Sequence, residues 1–345
     1  MNPENFKGFS TKAIHAGEPG PIYGRAVTLP IFQSSTFEYT GAKDYNDIKY
    51  IRLNNTPNHQ SLNEKIAVLE GGEAAMVTAS GMAAITTSLL ALVGHGEHVI
   101  AQDSLYGGTH HFLKHDFGNL GRSVDFVKID ELDQLEKAIR PETRAIYVES
   151  VSNPMLRIPD HERIVAQAKK RGLITLIDNT FPSPFNFNPI AVGYDVVLHS
   201  ATKYLNGHTD IVAGCVVSSK ANIKNITRLL NHLGGSMDPH TCFLLSRGIK
   251  ALAVRMRAQN EGALKFARAL EGHPNIVRVF YPGLESHPDH ERAKKYFRGF
   301  GGVVSFEYRG SAANLDQSLK GLRLAFLAPS LGGTETLATR PVTTS

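Results

Sequence analysis

Cysteine is scarce: Cys215 and Cys242 are the two found in 345 residues. So few in so long a chain exclude a disulfide framework and point to a reducing compartment. Apolar runs long enough to cross a bilayer are missing. The opening residues, Met1-Asn2-Pro3-Glu4-Asn5-Phe6-Lys7, lack the apolar core of a signal peptide. Stretches of like charge are missing too. The net charge is +5, with Lys and Arg interspersed among acids, so no stripe for nucleic acid emerges. There are no internal repeats and no low-complexity tracts. These absences together predict a cytoplasmic protein that engages neither membrane nor nucleic acid.

What is present is an ordinary globular composition, 42% hydrophobic and 20% charged, of a length that suits a large domain plus a smaller one. Residues 1–50 are irregular but rich in Gly, Pro, Thr and aromatics, as in Thr28-Leu29-Pro30-Ile31-Phe32. Such an arm is expected to pack on a neighbouring subunit. Leu62, Ile66 and Leu69 then mark a helix stopped by Gly71. Alternating units follow. Strands are expected at 75–78, 98–101, 124–127, 145–148, 173–177, 194–198 and 211–218. Helices are expected at 81–93, 108–115, 131–139 (capped by Asp130) and 160–170. This alternation predicts an α/β fold, a mostly parallel sheet covered on both faces, over residues 51–245. Beyond it, a long helix over 242–270, weakened at Gly248 and Gly262, and strands at 276–280 and 303–306 predict a smaller α+β domain over 246–345.

The chemistry gathers at strand ends. The run Leu173-Ile174-Thr175-Leu176-Ile177 delivers Asp178, and Tyr194-Asp195-Val196-Val197-Leu198 leads into His199-Ser200-Ala201-Thr202-Lys203. A lone lysine after a strand is ordinarily a solvated charge, and a lone aspartate there a cap. In the order strand–Asp–strand–Ser-x-Thr-Lys, the pair suits pyridoxal phosphate (PLP). The lysine amine forms a Schiff base with the aldehyde, and the aspartate keeps the pyridine nitrogen protonated. Ligands of such sheets collect at the carboxyl ends of the strands. Thr78-Ala79-Ser80-Gly81-Met82, between a strand and a helix, offers free N–H groups to a phosphate, with hydroxyls from Ser200 and Thr202 beside them. Tyr106, before Gly107-Gly108-Thr109, is placed to stack on a flat ring or simply to anchor a turn. Asn153, before Pro154, faces a ring oxygen or forms a turn. The run His287-Pro288-Asp289-His290-Glu291 looks like a metal motif but lacks a third placed ligand, so no metal is expected.

These motifs in this order closely resemble the Cys/Met-metabolism family of PLP enzymes, the transsulfuration enzymes. Further matching segments are Tyr50-Ile51-Arg52, Leu69-Glu70-Gly71-Gly72, Tyr281-Pro282-Gly283-Leu284 and Ser330-Leu331-Gly332-Gly333. The resemblance implies the type I PLP-dependent transferase fold. It implies that Lys203 is the Schiff-base lysine and proton shuttle, that Asp178 pairs with the pyridine nitrogen, and that Tyr106 stacks on the ring. Gly81, Met82, Ser200 and Thr202 would hold the phosphate. Tyr50 and Arg52 would reach the phosphate of the neighbouring subunit in a dimer of dimers. Asn153 and Ser330 would lie near the ring oxygen and the substrate carboxylate. The substrate implied is an amino acid of the cysteine, cystathionine, methionine or O-acylhomoserine type, undergoing elimination or replacement at its β or γ carbon.

Three positions depart from the family's usual pattern. Asn54-Asn55-Thr56 replaces Asn-Pro-Thr. Gly108 stands where methionine γ-lyases carry Cys. Pro329 stands where cystathionine-handling members often place Glu. Relatives also continue past the segment matching Thr336–Thr343 and there carry the arginine that clamps the substrate carboxylate. The resemblance therefore also implies a C-terminally shortened chain. A PLP-binding chain impaired in catalysis, and another PLP enzyme of the same fold such as an aldolase or aminotransferase, are the competing readings.

Overall fold

In a computed structural model, which describes residues 6–20, 23–41, 43, 45, 48–128 and 131–341, one seven-stranded sheet forms the centre. Its strands are β1 (Ala74–Thr78), β2 (His98–Gln102), β3 (Ser123–Val127), β4 (Thr143–Glu149), β5 (Ile174–Asp178), β6 (Val196–His199) and β7 (Gly214–Ser218). Their spatial order is β1-β7-β6-β5-β4-β2-β3. Every pairing is parallel except those of β7, which runs antiparallel to β1 and β6. The α/β architecture expected from the alternating runs is the one observed.

Alternation along the strands splits the core in two. Ile146, Val148, Ile177 and Val197 pack on one face with Leu62 and Ile66 of helix Pro57–Glu70. Tyr147, Leu176 and Leu198 pack on the other with Ala84, Ile85 and Leu89 of helix Gly81–Leu92. Both faces are dry, which is why these strands read as continuous apolar runs. Gly71 ends helix Pro57–Glu70 in the left-handed conformation (φ 76°), where a Cβ would be strained.

The second expected layer differs in detail. Residues 242–270 do not form one helix. Helices Pro239–Lys250 and Leu252–Glu271 meet at Ala251 (φ −96°, ψ 0°). Gly248 lies inside the first of them, because a Cβ there would fall 2.2 Å from the carbonyl oxygen of Asn206. The glycine serves a close approach between segments and does not break the helix. Helix Lys220–Leu233, capped by the Ser219 hydroxyl, has no counterpart in the sequence reading. Strand β7 starts only at Gly214, since Ala213 is occupied by Thr202. The Asp130 cap lies outside the described residues. Past the sheet, β8 (Ile276–Phe280) and β9 (Ser305–Tyr308) pair antiparallel, and helix Leu252–Glu271 packs beside them through Ala267, Val279 and Tyr281. Among the described residues no helix is long and apolar enough to cross a membrane.

Candidate functional site

Strands β5 and β6 are neighbours, so the turns that follow them open at the same edge of the sheet. Asp178 closes β5 on the face covered by helix Gly81–Leu92 and is 9% exposed. Its Oδ1 accepts from the Thr180 N–H at 2.9 Å. Burial pushes its carboxyl above the usual aspartate value, and the Thr180 hydrogen bonds and the charge of His199 oppose that rise. Directly beside it in register stands Glu149, the last residue of β4 and also buried. Burial first, and the Asp178 charge second, push Glu149 well above the usual range.

Lys203 is half-buried, and burial lowers the pKa of its amine from the ordinary lysine value. Its Nζ donates to Ser330 Oγ at 2.8 Å. Ser330 has φ 121°, a conformation that non-glycine residues avoid, so the segment carrying it is held under strain. Two residues on, Gly332 lies against the lysine's own main chain. A Cβ on Gly332 would come within 2.7 Å of the Tyr204 nitrogen. The Ser330–Gly333 loop is thus pressed onto the Lys203 turn, although 127 residues separate Ser330 from Lys203.

Opposite, the Ser80 hydroxyl caps helix Gly81–Leu92 by accepting from the Ala83 N–H at 3.0 Å. The first-turn N–H groups of Gly81 and Met82 have no acceptor within the helix. Gly81 touches Ser200: a Cβ on it would fall 2.8 Å from Ser200 Cβ. The helix N-terminus and the Ser200 hydroxyl therefore line one cup. Thr202 is otherwise engaged, its Oγ1 donating to Ala213 O and accepting from Ala213 N at 3.1 and 2.9 Å. Tyr106 is 52% exposed at the start of helix Gly107–His111. A Cβ at Gly108 would lie 2.7 Å from the Tyr106 ring and 3.1 Å from Met82 Sδ, so this aromatic stands next to the cup. Asn153 is exposed, and its carbonyl accepts from Ser104 Oγ at 3.4 Å, tying it to the Tyr106 turn.

Tyr50 and Arg52 meet a different part of the chain. The Arg52 guanidinium lies over the Tyr45 and Tyr50 rings and donates to the Tyr45 hydroxyl and, at 3.0 Å, to the carbonyl of Asn231 at the end of helix Lys220–Leu233. The His287–Glu291 run is used for packing. Asp289 accepts from Arg157 Nε at 2.6 Å, the Ile158 N–H at 3.1 Å and Arg292 Nη1 at 3.1 Å, and His290 bonds to Pro282 O.

Sequence reasoning assigned no role to the polar cluster on the far face of the sheet. Glu70, with no exposed surface, bonds His199 Nε2 at 2.5 Å, Asn179 Nδ2 at 2.9 Å and Asn188 Nδ2 at 3.2 Å. The signal was visible as four polar residues near the boundaries of apolar segments. Their convergence was not, since 129 residues separate Glu70 from His199.

Comparison with known proteins agrees with this geometry. Residues 10–345 match the family model described as Cys/Met metabolism PLP-dependent enzyme. The chain is 41% identical to the cystathionine gamma-lyase of Bacillus subtilis (strain 168), over 96% of this chain and 87% of that protein. It is 43% identical to the cystathionine beta-lyase of Lactococcus lactis subsp. cremoris (strain MG1363), with the same coverage. Identity to the L-methionine gamma-lyase of Fusobacterium nucleatum subsp. polymorphum is 39%, over 97% of this chain and 87% of that one. The crystal structure of metB from Corynebacterium glutamicum superposes with a TM-score of 0.94 at 33% identity, covering 99% of this chain and 89% of that one. The chain belongs to the family whose model it matches, and its fold is the type I PLP-dependent fold.

Proposed function

We propose that this member of the Cys/Met-metabolism family of PLP-dependent enzymes makes or breaks a carbon–sulfur bond at the β or γ carbon of a cysteine-, cystathionine-, methionine- or O-acylhomoserine-type amino acid, using Lys203 as its reactive amine. One observation carries the assignment: a half-buried amine of lowered pKa just beyond strand β6 and a buried carboxyl group at the end of the adjacent strand β5.

The residues fit the cofactor. The cup of Gly81, Met82 and Ser200 supplies main-chain and hydroxyl donors to a phosphate at a helix N-terminus. The close approach of Gly81 to Ser200 is the kind that a side chain at 81 would block. Thr202 joins this cup if its hydroxyl turns away from Ala213. Tyr106 offers the flat face, and Asn153 and Ser330 the polar groups near the ring oxygen and the substrate carboxylate. Bound there, PLP draws electrons from the substrate α-carbon. Asp178, a carboxyl group shielded from water, would pair with the pyridine nitrogen and hold a proton there. Lys203 Nζ takes the proton from Cα and returns protons to later positions. Its burial favours the uncharged amine needed for that step. Ser330 Oγ, at 2.8 Å, positions the amine between these tasks.

Tyr50 and Arg52 complete the phosphate site of a partner protomer in this reading, and the assembly is a dimer of dimers. The N-terminal segment that carries them exposes Tyr23, Val27, Ile31, Tyr39 and Tyr45, an apolar surface of the kind that protein interfaces cover. Cys215 and Cys242 are free thiols, both buried, in keeping with a cytoplasmic protein. The test has two arms. Borohydride reduction of the cofactor-loaded protein should fix PLP onto the peptide containing Lys203, and labelling of another lysine refutes the site. A panel of cysteine-, cystathionine-, methionine- and O-acylhomoserine-type amino acids should release an oxo acid together with ammonia and the thiol or acyl leaving group, or exchange the β or γ substituent. Silence across the panel with Lys203 labelled refutes the reaction while leaving the cofactor site standing.

A further inference from the structure

Glu149 has no part in that chemistry, yet its carboxyl group is buried beside the site. It is 6% exposed. Its Oε1 accepts from the Tyr106 N–H at 2.6 Å. Tyr106 precedes the first turn of helix Gly107–His111, so its N–H falls outside the helical ladder, and a buried N–H without an acceptor is destabilising. Gln102, at the end of β2, works alongside. Its Oε1 accepts from the Glu149 N–H at 3.2 Å, and its Nε2 donates to the Ser104 carbonyl at 2.8 Å. The turn at 103–106 therefore hangs on two side chains rooted at the ends of β2 and β4. Glu149 also stands in register with Asp178, so one strand-end pair serves both sides of the site.

We propose that Glu149 is a positioning residue whose side-chain oxygen, with Gln102, fixes the main chain of the Tyr106 turn and so holds the Tyr106 ring at the cofactor site. This rests on the reading of Tyr106 as the ring-stacking residue. A ring's direction follows from the main chain that carries it. Burial and the Asp178 charge favour the neutral carboxylic acid at Glu149, and that form keeps an acceptor oxygen for the Tyr106 N–H. What the position supplies is therefore an acceptor at a fixed place, which glutamine also supplies and alanine does not.

The experiment titrates apo-protein with PLP and follows the visible circular dichroism of the bound cofactor for Tyr106→Ala, Glu149→Ala, Glu149→Gln and the double alanine variant. Thermal unfolding of each apo-protein is measured alongside. Tyr106→Ala should weaken affinity about tenfold and diminish the dichroism, as loss of one stacked contact implies. Glu149→Ala should reproduce both changes, and Glu149→Gln should return to within about threefold of wild type. The double variant should be no worse than the weaker single, because both act through one ring. If Tyr106→Ala shows the defect and Glu149→Ala does not, or if their losses add, the positioning role is wrong. A glutamine variant as impaired as alanine would assign the role to charge and also overturn it. If Tyr106→Ala is silent, the stacking reading fails and this inference with it. Should Glu149→Ala not fold, Gln102→Ala removes the companion bond and must show the same signature for the proposal to stand.

Discussion

Replacing Glu70 with alanine should cost the apo-protein about 3–5 kcal/mol of stability, because it leaves the buried His199 Nε2 without its partner and empties the volume of a large buried side chain. What each donor has left sets that cost. His199 Nε2 faces Glu70 Oε1 at 2.5 Å inside the sheet–helix interface, where His199 is 2% exposed and water has no access. Asn179 and Asn188 lose less. Asn179 Nδ2 also reaches the Phe187 carbonyl at 3.0 Å, and Asn188 Nδ2 the Leu69 carbonyl at 2.9 Å. Glutamine at 70 keeps the shape but turns one acceptor into a donor. At Oε1 it meets two donors and at Oε2 one, so it should cost about 1–3 kcal/mol, a single unsatisfied buried group. The expected order is wild type, then Glu70→Gln, then Glu70→Ala.

Urea unfolding at fixed protomer concentration, without cofactor, measures this directly. Far-ultraviolet circular dichroism is the probe, because the chain has no tryptophan. The cofactor should report it too. The His199 charge opposes the rise of the Asp178 carboxyl, and Ser150 Oγ ties Asn179 Oδ1 (2.8 Å) to the Asp178 carbonyl (3.1 Å). PLP affinity should fall in the same order as stability. A Glu70→Ala protein destabilised by less than about 1 kcal/mol, the scale of one ordinary hydrogen bond, would show that this cluster does not hold the strand ends.

The sheet, and the polar residues that gather at its carboxyl end, are legible in the sequence because both are written locally. Apolar runs such as Val196-Val197-Leu198 are buried on both faces, and the polar residues that interrupt them, Asp178 and Lys203, stand at strand ends where ligands bind. Contacts made at long range left no such trace. Nothing about Ser330 indicates that its hydroxyl receives Lys203 Nζ, and nothing about Glu149 indicates the Tyr106 N–H. The single helix expected over 242–270 failed for a related reason. Gly248 has low helix propensity but is kept for its closeness to Asn206, while the break falls at Ala251, the residue type with the highest propensity. Helix Lys220–Leu233 went unread although its apolar positions Ile223, Ile226 and Leu230 follow the helical period.

In apo-protein, Lys203 should be acylated at a lower pH than exposed lysines. Burial disfavours its charged form, so it sheds its proton below the usual lysine value, and the charge penalty on folding disappears as pH rises through that interval; peptide mass spectrometry across a pH series checks it. Mixing Arg52→Ala with Lys203→Ala subunits should regenerate some activity, since shared sites receive one intact residue from each chain. Mixed oligomers no more active than the separate mutants refute the sharing. Asp178→Asn should separate activity from stability. The amide keeps an oxygen for the Thr180 N–H, now at 2.9 Å, but cannot hold a proton at the pyridine nitrogen, so turnover should fall by roughly three decades, a loss of about 4 kcal/mol in transition-state stabilisation. Stability should move the other way. Burial raises the folded pKa of Asp178, so the folded state is favoured below the unfolded value and loses that advantage as pH rises through the folded one. At neutral pH the wild-type apo-protein therefore carries a desolvation penalty that asparagine relieves. Apo Asp178→Asn should be at least as stable as wild type near neutrality, and the difference should shrink on acidification. Turnover within tenfold of wild type, or a clear loss of apo stability at neutral pH, would reduce Asp178 to a cap for the turn after β5.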